Sequence, residues 1–427
     1  MKRSKHPGDW SGSLGFRFRL ALSILMLVVA GGILCCGGPG EPSTVILISI
    51  DGFRPDYLEH TACPNLNSLA AAGTRARWLI PVFPTKTFPN HYSIATGMYV
   101  ENHGVVGNTM YDPEFDAMFT MRMRNEVSNA RWWGGEPFWV SAEKQGVKSA
   151  PFFWPGSEAP IGEIRPSYWK AFDGSMTEEQ RVAQVLQWLD LPAQQRPRMI
   201  TLYFDRIDNA GHEYGPEYAA VDTAVRIVDR AIGQLVEGLK ERNLFGATTL
   251  VIVSDHGMAA VEKERTVYLD DYLTPADSVK VVDWGVVMSL WPKPGTEERI
   301  FRAVKSVHPR MSAFHKNEIP ERWHYRQNKR VAPIVLVADD GWIITSRGDQ
   351  SYWRRREKGG NHGYDNEAPS MRAIFIARGP AFESGKIVEP FGNVHIYNLL
   401  CSLLQIVPSP NDGDMNVAKS LMKNVGR

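Results

Sequence analysis

The sequence predicts an α/β fold: a doubly wound, mostly parallel sheet with helices on both faces and a small inserted α+β subdomain. Three observations predict it. Short apolar, β-branched runs recur at wide intervals, unbroken enough to be strands buried on both faces of a parallel sheet. Helical periods fill the gaps between them, the alternation that a doubly wound sheet requires. Between Gly257 and Gly359 the alternation lapses, which marks an insertion at about residues 259–358.

Residues 1–43 are set apart as a targeting segment and linker. Lys2, Arg3, Lys5, Arg17 and Arg19 against Asp9 give the first 19 residues a net charge of +4, and Leu20–Leu34 is apolar. This is the layout of a secretory signal, and it predicts export to a periplasmic or extracellular site. The run is shorter than the ~20 residues of a full membrane span. Soluble and membrane-attached forms both stay open, the latter through the apolar segment or a lipidated Cys35. Against +1 for the whole chain, the remainder carries −3, so no basic surface for nucleic-acid polymers is expected and any phosphate must be handled at a local site. With 427 residues the chain can bury a large core, and Cys63 and Cys401 alone cannot form a disulfide framework. Two separately buried thiols are expected.

Val45–Ile50 is the first strand, ending in Asp51-Gly52. Met199–Phe204 ends in Asp205, with Asp208 close behind, and Leu250–Ser254 ends in Asp255-His256-Gly257. A fourth run, Ala373–Ala377, ends at Arg378-Gly379-Pro380. Open α/β sheets place ligands beyond the carboxyl ends of their strands, so these acids are candidates. Helices are predicted over Pro64–Ala72, from a capping box at Thr177–Gln180 to about Leu189, and between Pro216 and Asn243. Within the insertion, Thr296–Val307 reads as a short helix and Val331–Thr345 as a hairpin turning at Asp339-Asp340-Gly341. No catalytic motif is visible there.

Chemistry concentrates at Pro84–Tyr92, where Thr87 precedes Pro89 and a helical pattern begins. A hydroxyl at the positive end of a helix favours a developing alkoxide. Asp51, Asp208 with His212, Asp255-His256 and His362 supply three carboxylates and three imidazoles, the inventory for two zinc-like ions. A ligand set without cysteine leaves each ion a position for water or substrate. Two such ions would activate Thr87 and stabilise a leaving oxygen at phosphorus. Asn108 offers an uncharged N–H to a phosphoryl oxygen, with the Thr87 amide as partner. Singly, a strand-end Asp is more often a turn former, and an aromatic more often core. Asp205 rivals Asp208. Recurrence at strand ends and in glycine-flanked turns raises the set above its parts.

ISIDGFRPDYL, PTKTFPNHYSIATGMYVENHGVVGNTMYDP, FFWPGS, DNAGHEYGP, VIVSDHGM and GNHGYDN together resemble the catalytic domain of the nucleotide pyrophosphatase/phosphodiesterase family, of the alkaline phosphatase superfamily. The likeness runs from about Val45 to the C-terminus, over the catalytic domain taken as residues 44–427. It implies an alkaline-phosphatase-like sheet, two Zn2+ ions and a covalent phosphothreonine on Thr87. Asp51, Asp255 and His256 would join Thr87 around one zinc; Asp208, His212 and His362 would hold the other. Asn108 would contact the phosphoryl group, and Phe88, Trp154, Phe172 and Tyr203 would line a nucleoside pocket. Phe172 stands where relatives carry Tyr, which keeps stacking and drops a hydroxyl. No somatomedin-like or nuclease-like domain is expected.

The implied activity is hydrolysis of nucleotide phosphodiester or pyrophosphate bonds to nucleoside 5′-monophosphates. A lysophospholipid or choline phosphodiesterase is the alternative on the same scaffold, since aromatics also cage quaternary ammonium. A phosphomonoesterase would favour a cationic clamp where neutral Asn108 stands. A binding module with an inactive site is disfavoured by the complete ligand set.

Overall fold

The computed structural model describes residues 44–349, 352, 353 and 356–423; residues 1–43, where a targeting segment and a lipidated Cys35 are expected, lie outside them. Seven strands form the central sheet: β1 (Val45–Ile50), β2 (Thr74–Ala76), β3 (Ser149–Ala150), β4 (Met199–Phe204), β5 (Thr249–Val253), β6 (Phe375–Arg378) and β7 (Lys386–Val388). Their spatial order is β7-β2-β6-β5-β1-β4-β3. Strand β1 lies parallel to β4 and β5, with Ile50 opposite Phe204 and Ser49 opposite Val253. Three neighbouring parallel strands therefore release their carboxyl ends at one edge.

The fourth apolar run behaves differently. It forms β6, antiparallel to both β5 and β2, so its carboxyl end at Arg378 lies at the opposite edge from those of its neighbours. An apolar run reports burial and carries no direction, which is why the sheet is mostly rather than wholly parallel.

Side chains alternate along β1. Ile46, Ile48 and Ile50 face a core completed by helices α1 (Pro64–Ala71), α4 (Glu178–Leu189) and α6 (Ala219–Glu241), while Val45 and Leu47 face α2 (Thr87–Thr96), α3 (Phe138–Lys144) and α8 (Ile396–Leu404). Helix α4 opens on the expected capping box, in which the Thr177 hydroxyl accepts from the Gln180 amide and the Gln180 side chain accepts from the Thr177 amide. Along α6, Val221, Val225, Val228, Ile232, Leu235 and Leu239 are all buried, each side chain contributing about 1.5–3 kcal/mol. Cys63 and Cys401 are separate, buried free thiols.

Residues 259–361 leave the main sheet and return to it. Ala259–Glu262 pairs with Lys358–Asn361, and beyond that neck lies a four-stranded antiparallel sheet in the order Lys280–Val282, Val287–Trp291, Ile334–Ala338, Met311–His315. Helix α7 (Glu297–Val304) packs on it. The hairpin expected across Asp339-Asp340-Gly341 does not form. Ile334–Ala338 pairs with both its sheet neighbours, and Ile343–Thr345 pairs instead with Thr266–Tyr268. Both candidate arms find partners distant in sequence, which a local turn signal cannot reveal.

Candidate metal centre and active site

Helix α5 (Arg206–Tyr214) follows β4 and carries Asp208 and His212 one turn apart on one face. Asp51 follows β1 and Asp255-His256 follows β5. His362 arrives from the strand that closes the neck of the insertion. Thr87 is the first residue of α2, whose ten residues are all buried. The sheet edge thus gathers seven side chains from five separate stretches of sequence.

The closest pairs fall into two groups. His256 Nε2 lies 3.0 Å from Asp255 Oδ2, 3.3 Å from Asp51 Oδ1 and 3.4 Å from Thr87 Oγ1. His212 Nε2 lies 3.1 Å from His362 Nε2 and 3.4 Å from Asp208 Oδ2, and His362 Nε2 lies 3.7 Å from Asp208 Oδ1. The rings of His256 and His362 stack at 3.6 Å and join the groups. Donor atoms of Asp208, His256 and His362 also lie within 4.8 Å of one another, as do those of Asp51, His91 and Asp255. The second triad is the weaker grouping, because both nitrogens of His91 are already engaged. Its Nδ1–H donates to Thr87 O at 2.8 Å, and its Nε2 accepts from Ser49 Oγ at 2.8 Å.

Each remaining imidazole is pinned the same way. His212 Nδ1 donates to Gly360 O, His256 Nδ1 to Gly257 O and His362 Nδ1 to Thr85 O, at 2.8–2.9 Å. A donating Nδ1 fixes the tautomer and leaves the Nε2 lone pair facing inward. Facing those lone pairs are Asp51 Oδ1, Asp208 Oδ1 and Asp255 Oδ2, all buried and without a hydrogen-bond donor. Acceptors therefore converge on one another, an arrangement that is costly unless protons or a metal cation supply the missing charge. At His256 burial works downward, yet the facing Asp255 and Asp208 raise the imidazole overall. Burial, then the facing Asp255 and Asp208, pushes Asp51 well above the usual carboxylate range. Burial also raises Asp208. Burial works upward on Asp255 too, yet His256 and His91 beside it pull it down to about 2. Burial, His256 and His212 hold His362 well below the ordinary imidazole range, hence neutral. The donor set fits metal ions.

Asn108 turns its carbonyl to the Phe88 amide at 2.9 Å, which frees its NH2 group. The Thr87 amide, at the start of α2, has no acceptor within the helix. Phe172 is 38% exposed, its amide held by Glu158 Oε1 at 3.1 Å and its ring 6.0 Å from the Arg181 guanidinium. Phe88 is packed edge-on to Phe119 and keeps 9% exposure.

Tyr203 donates its hydroxyl to Asp51 Oδ2 at 2.5 Å. Trp154 is only 1% exposed; its indole N–H donates to His91 O, so it backs the site through α2 instead of presenting a face to a substrate. Asp205, the rival ligand, is held by Arg181 at 2.9 Å. His91 and Thr85 carried no role in the sequence reading. The i, i+4 spacing of Thr87 and His91 was the signal for the first; nothing local marked Thr85.

Residues 45–365 match the model of the family described as type I phosphodiesterase/nucleotide pyrophosphatase. The chain is 39% identical over 406 residues to a venom phosphodiesterase of Crotalus durissus collilineatus, covering 92% of this chain and 48% of that one. It is 39% identical over 402 residues to human ectonucleotide pyrophosphatase/phosphodiesterase family member 1, covering 91% and 43%. The chain thus spans about half the length of these relatives. Among solved structures, murine ectonucleotide pyrophosphatase/phosphodiesterase 5 superposes with a TM-score of 0.84 at 34% identity, over 89% of this chain and 100% of that one. An inactive threonine-to-alanine variant of the same murine protein, in complex with AMP, superposes equally well. With its central sheet, its strand-end acids and imidazoles and three quarters of its length accounted for, the chain belongs to the type I phosphodiesterase/nucleotide pyrophosphatase family.

Proposed function

We propose that this chain is a two-zinc phosphodiesterase/nucleotide pyrophosphatase that splits nucleotide phosphodiester or pyrophosphate bonds through a covalent phosphothreonine and releases nucleoside 5′-monophosphates. One observation carries the reading: three inward Nε2 lone pairs and three buried carboxylates converge beside the hydroxyl that opens α2. Asp51, Asp255, His256 and Thr87 would hold one zinc, and Asp208, His212 and His362 the other. Bound there, zinc supplies Lewis acidity at the nucleophilic hydroxyl and at the leaving oxygen.

The chain's own residues do the rest. The N-terminus of α2 contributes only ~0.3–1 kcal/mol to an anion, so the helix aims Thr87 more than it ionises it. Thr87 Oγ1 forms the new bond to phosphorus as the bond to the leaving oxygen breaks, and water later displaces Thr87. The Asn108 NH2 and the Thr87 amide donate to the non-bridging oxygens. Phe88 and Phe172 offer ring faces to a base, while Tyr203 holds Asp51 in place. The AMP-bound, inactive threonine variant of the murine relative supports both a threonine nucleophile and a nucleotide ligand. Export is part of the proposal, supported by the basic-then-apolar layout of residues 2–34.

Thr87→Ala tests it. The variant is expected to retain zinc and to lose hydrolysis of the 4-nitrophenyl ester of thymidine 5′-monophosphate by at least ~10³-fold, the scale of losing a covalent nucleophile. Turnover near that of the unaltered enzyme would refute the reading.

A further inference from the structure

One turn of the inserted subdomain reaches the residue that precedes Thr87. Asp283, between the strands Lys280–Val282 and Val287–Trp291, lies with its Oδ2 2.5 Å from Lys86 Nζ. Lys86 immediately precedes Thr87 and is the N-cap of α2. Both partners are withdrawn from water, with side-chain exposures of 8% for Lys86 and 19% for Asp283. The same turn packs onto the sequence neighbours of the other site residues. A Cβ added at Gly107, beside Asn108, would come 3.2 Å from Asp283 Oδ2. One added at Gly363, beside His362, would come 3.1 Å from Lys86 Cε and 3.4 Å from Val286 Cβ. The ion pair is therefore wedged among the neighbours of the nucleophile, the phosphoryl-binding amide and a metal ligand.

The arrangement is held at a cost. Asp283 has φ 64°, a left-handed conformation uncommon for a residue with a side chain. A buried ion pair is a weak source of stability, since desolvation offsets the attraction. Its effect on charge is plain, however. Lys86 is the N-cap of the helix that Thr87 opens, and its side chain passes beside Gly363, so an unpaired ammonium would add to the positive potential of this corner; Asp283 cancels it.

We propose that Asp283 is a specificity-determining residue: by neutralising Lys86 it tunes the site to phosphodiesters of single charge and against dianionic phosphoryl groups. This rests on the reading of the site as a phosphodiesterase, and it gives the insertion a role in substrate choice. Removing the carboxylate leaves the ammonium of Lys86, the residue before Thr87, without its counter-charge, so an extra phosphate charge meets attraction. Removing the ammonium leaves the carboxylate, which repels that charge.

The test compares kcat/KM for 4-nitrophenyl phosphate, a dianion, with that for the 4-nitrophenyl ester of thymidine 5′-monophosphate, a monoanion. Asp283→Asn keeps the shape and is expected to raise the monoester-to-diester ratio at least tenfold, an effect that fades as salt rises. Lys86→Gln is expected to lower the same ratio, and it reads the proposal independently if Asp283→Asn does not fold. The double variant is expected to return the ratio to that of the unaltered enzyme. Ratios within twofold of the unaltered enzyme in the folded single variants, whatever the change in Tm, would overturn the inference and reduce the pair to a brace for the insertion. Failure of the unaltered enzyme to cleave the diester would instead overturn the phosphodiesterase reading itself.

Discussion

Tyr203 has a polar contact that its expected use as an aromatic wall does not include. An aromatic at the end of β4 reads as a wall for a flat base, yet its hydroxyl donates to Asp51 Oδ2, the partner of a carboxylate oxygen that has no donor of its own. Burial, then the nearby Asp51 charge, raises the phenol well above its ordinary range, so it remains a donor throughout the working pH range. Tyr203→Phe keeps the ring and removes that donor. Zinc affinity, measured by competition with a chelator, is expected to fall ~10–100-fold, the usual loss when a ligand's outer partner is removed. KM for a nucleotide diester should change less than twofold once zinc is saturating, and a change confined to KM would assign Tyr203 to the substrate instead. The metal-ligand candidates themselves were legible because Asp and His recur at strand ends, a pattern confined to a few residues each time. The supports were not: Tyr203 with Asp51 and Asp283 with Lys86 are contacts across 152 and 197 residues, and no local motif encodes them.

At the scale of elements, the turn after β5 carries the tightest constraint. Asp255 and His256 are buried there, and Gly257 follows with its amide bonded to Met371 O. A Cβ on Gly257 would stand 2.1 Å from Ser370 O and 2.9 Å from Arg372 O, both backbone atoms that cannot swing away. Gly257→Ala must push this turn off the segment that leads into β6, and His256 Nδ1, which donates to Gly257 O, would move with it. Overpacking of this kind costs about 1–3 kcal/mol. A lower Tm is expected together with weakened zinc binding, as read by thermal melts with and without added metal. A stable variant with unaltered metal affinity would show that the turn is not what orients His256. Helix periods and the Thr177 capping box were readable because they are local in sequence. The direction of β6 and the pairing of Ile343–Thr345 were not, because strand pairing is decided by whichever distant edge is free.

For the whole molecule, the site is where the fold's order conflicts with its chemistry. Two apolar cores clamp β1, β4 and β5 from either side, and the clamp brings Asp51, Asp208 and Asp255 face to face. Stripped of metal, these carboxylates oppose folding. Asp51 and Asp208 are raised above their ordinary 3.8, by burial foremost, so the folded chain holds those protons more tightly than the unfolded chain does. Such a group costs nothing while both states are protonated and destabilises the fold as pH rises from 3.8 through the raised value. Asp255, pulled down to about 2, acts in the opposite sense, but only between 2 and 3.8. Among these three acids the trend above pH 4 therefore follows Asp51 and Asp208, and a bound cation removes it by holding both as carboxylates. Proton competition at His256, where burial is outweighed by the facing Asp255 and Asp208 and the imidazole is raised, acts in the same direction, since metal binds the neutral form. The rise in Tm on adding zinc to the dialysed protein is therefore expected to be larger at pH 7.5 than at pH 5, at equal ionic strength. An increment equal at the two values, or larger at pH 5, would mean that the buried acids are not what the metal neutralises.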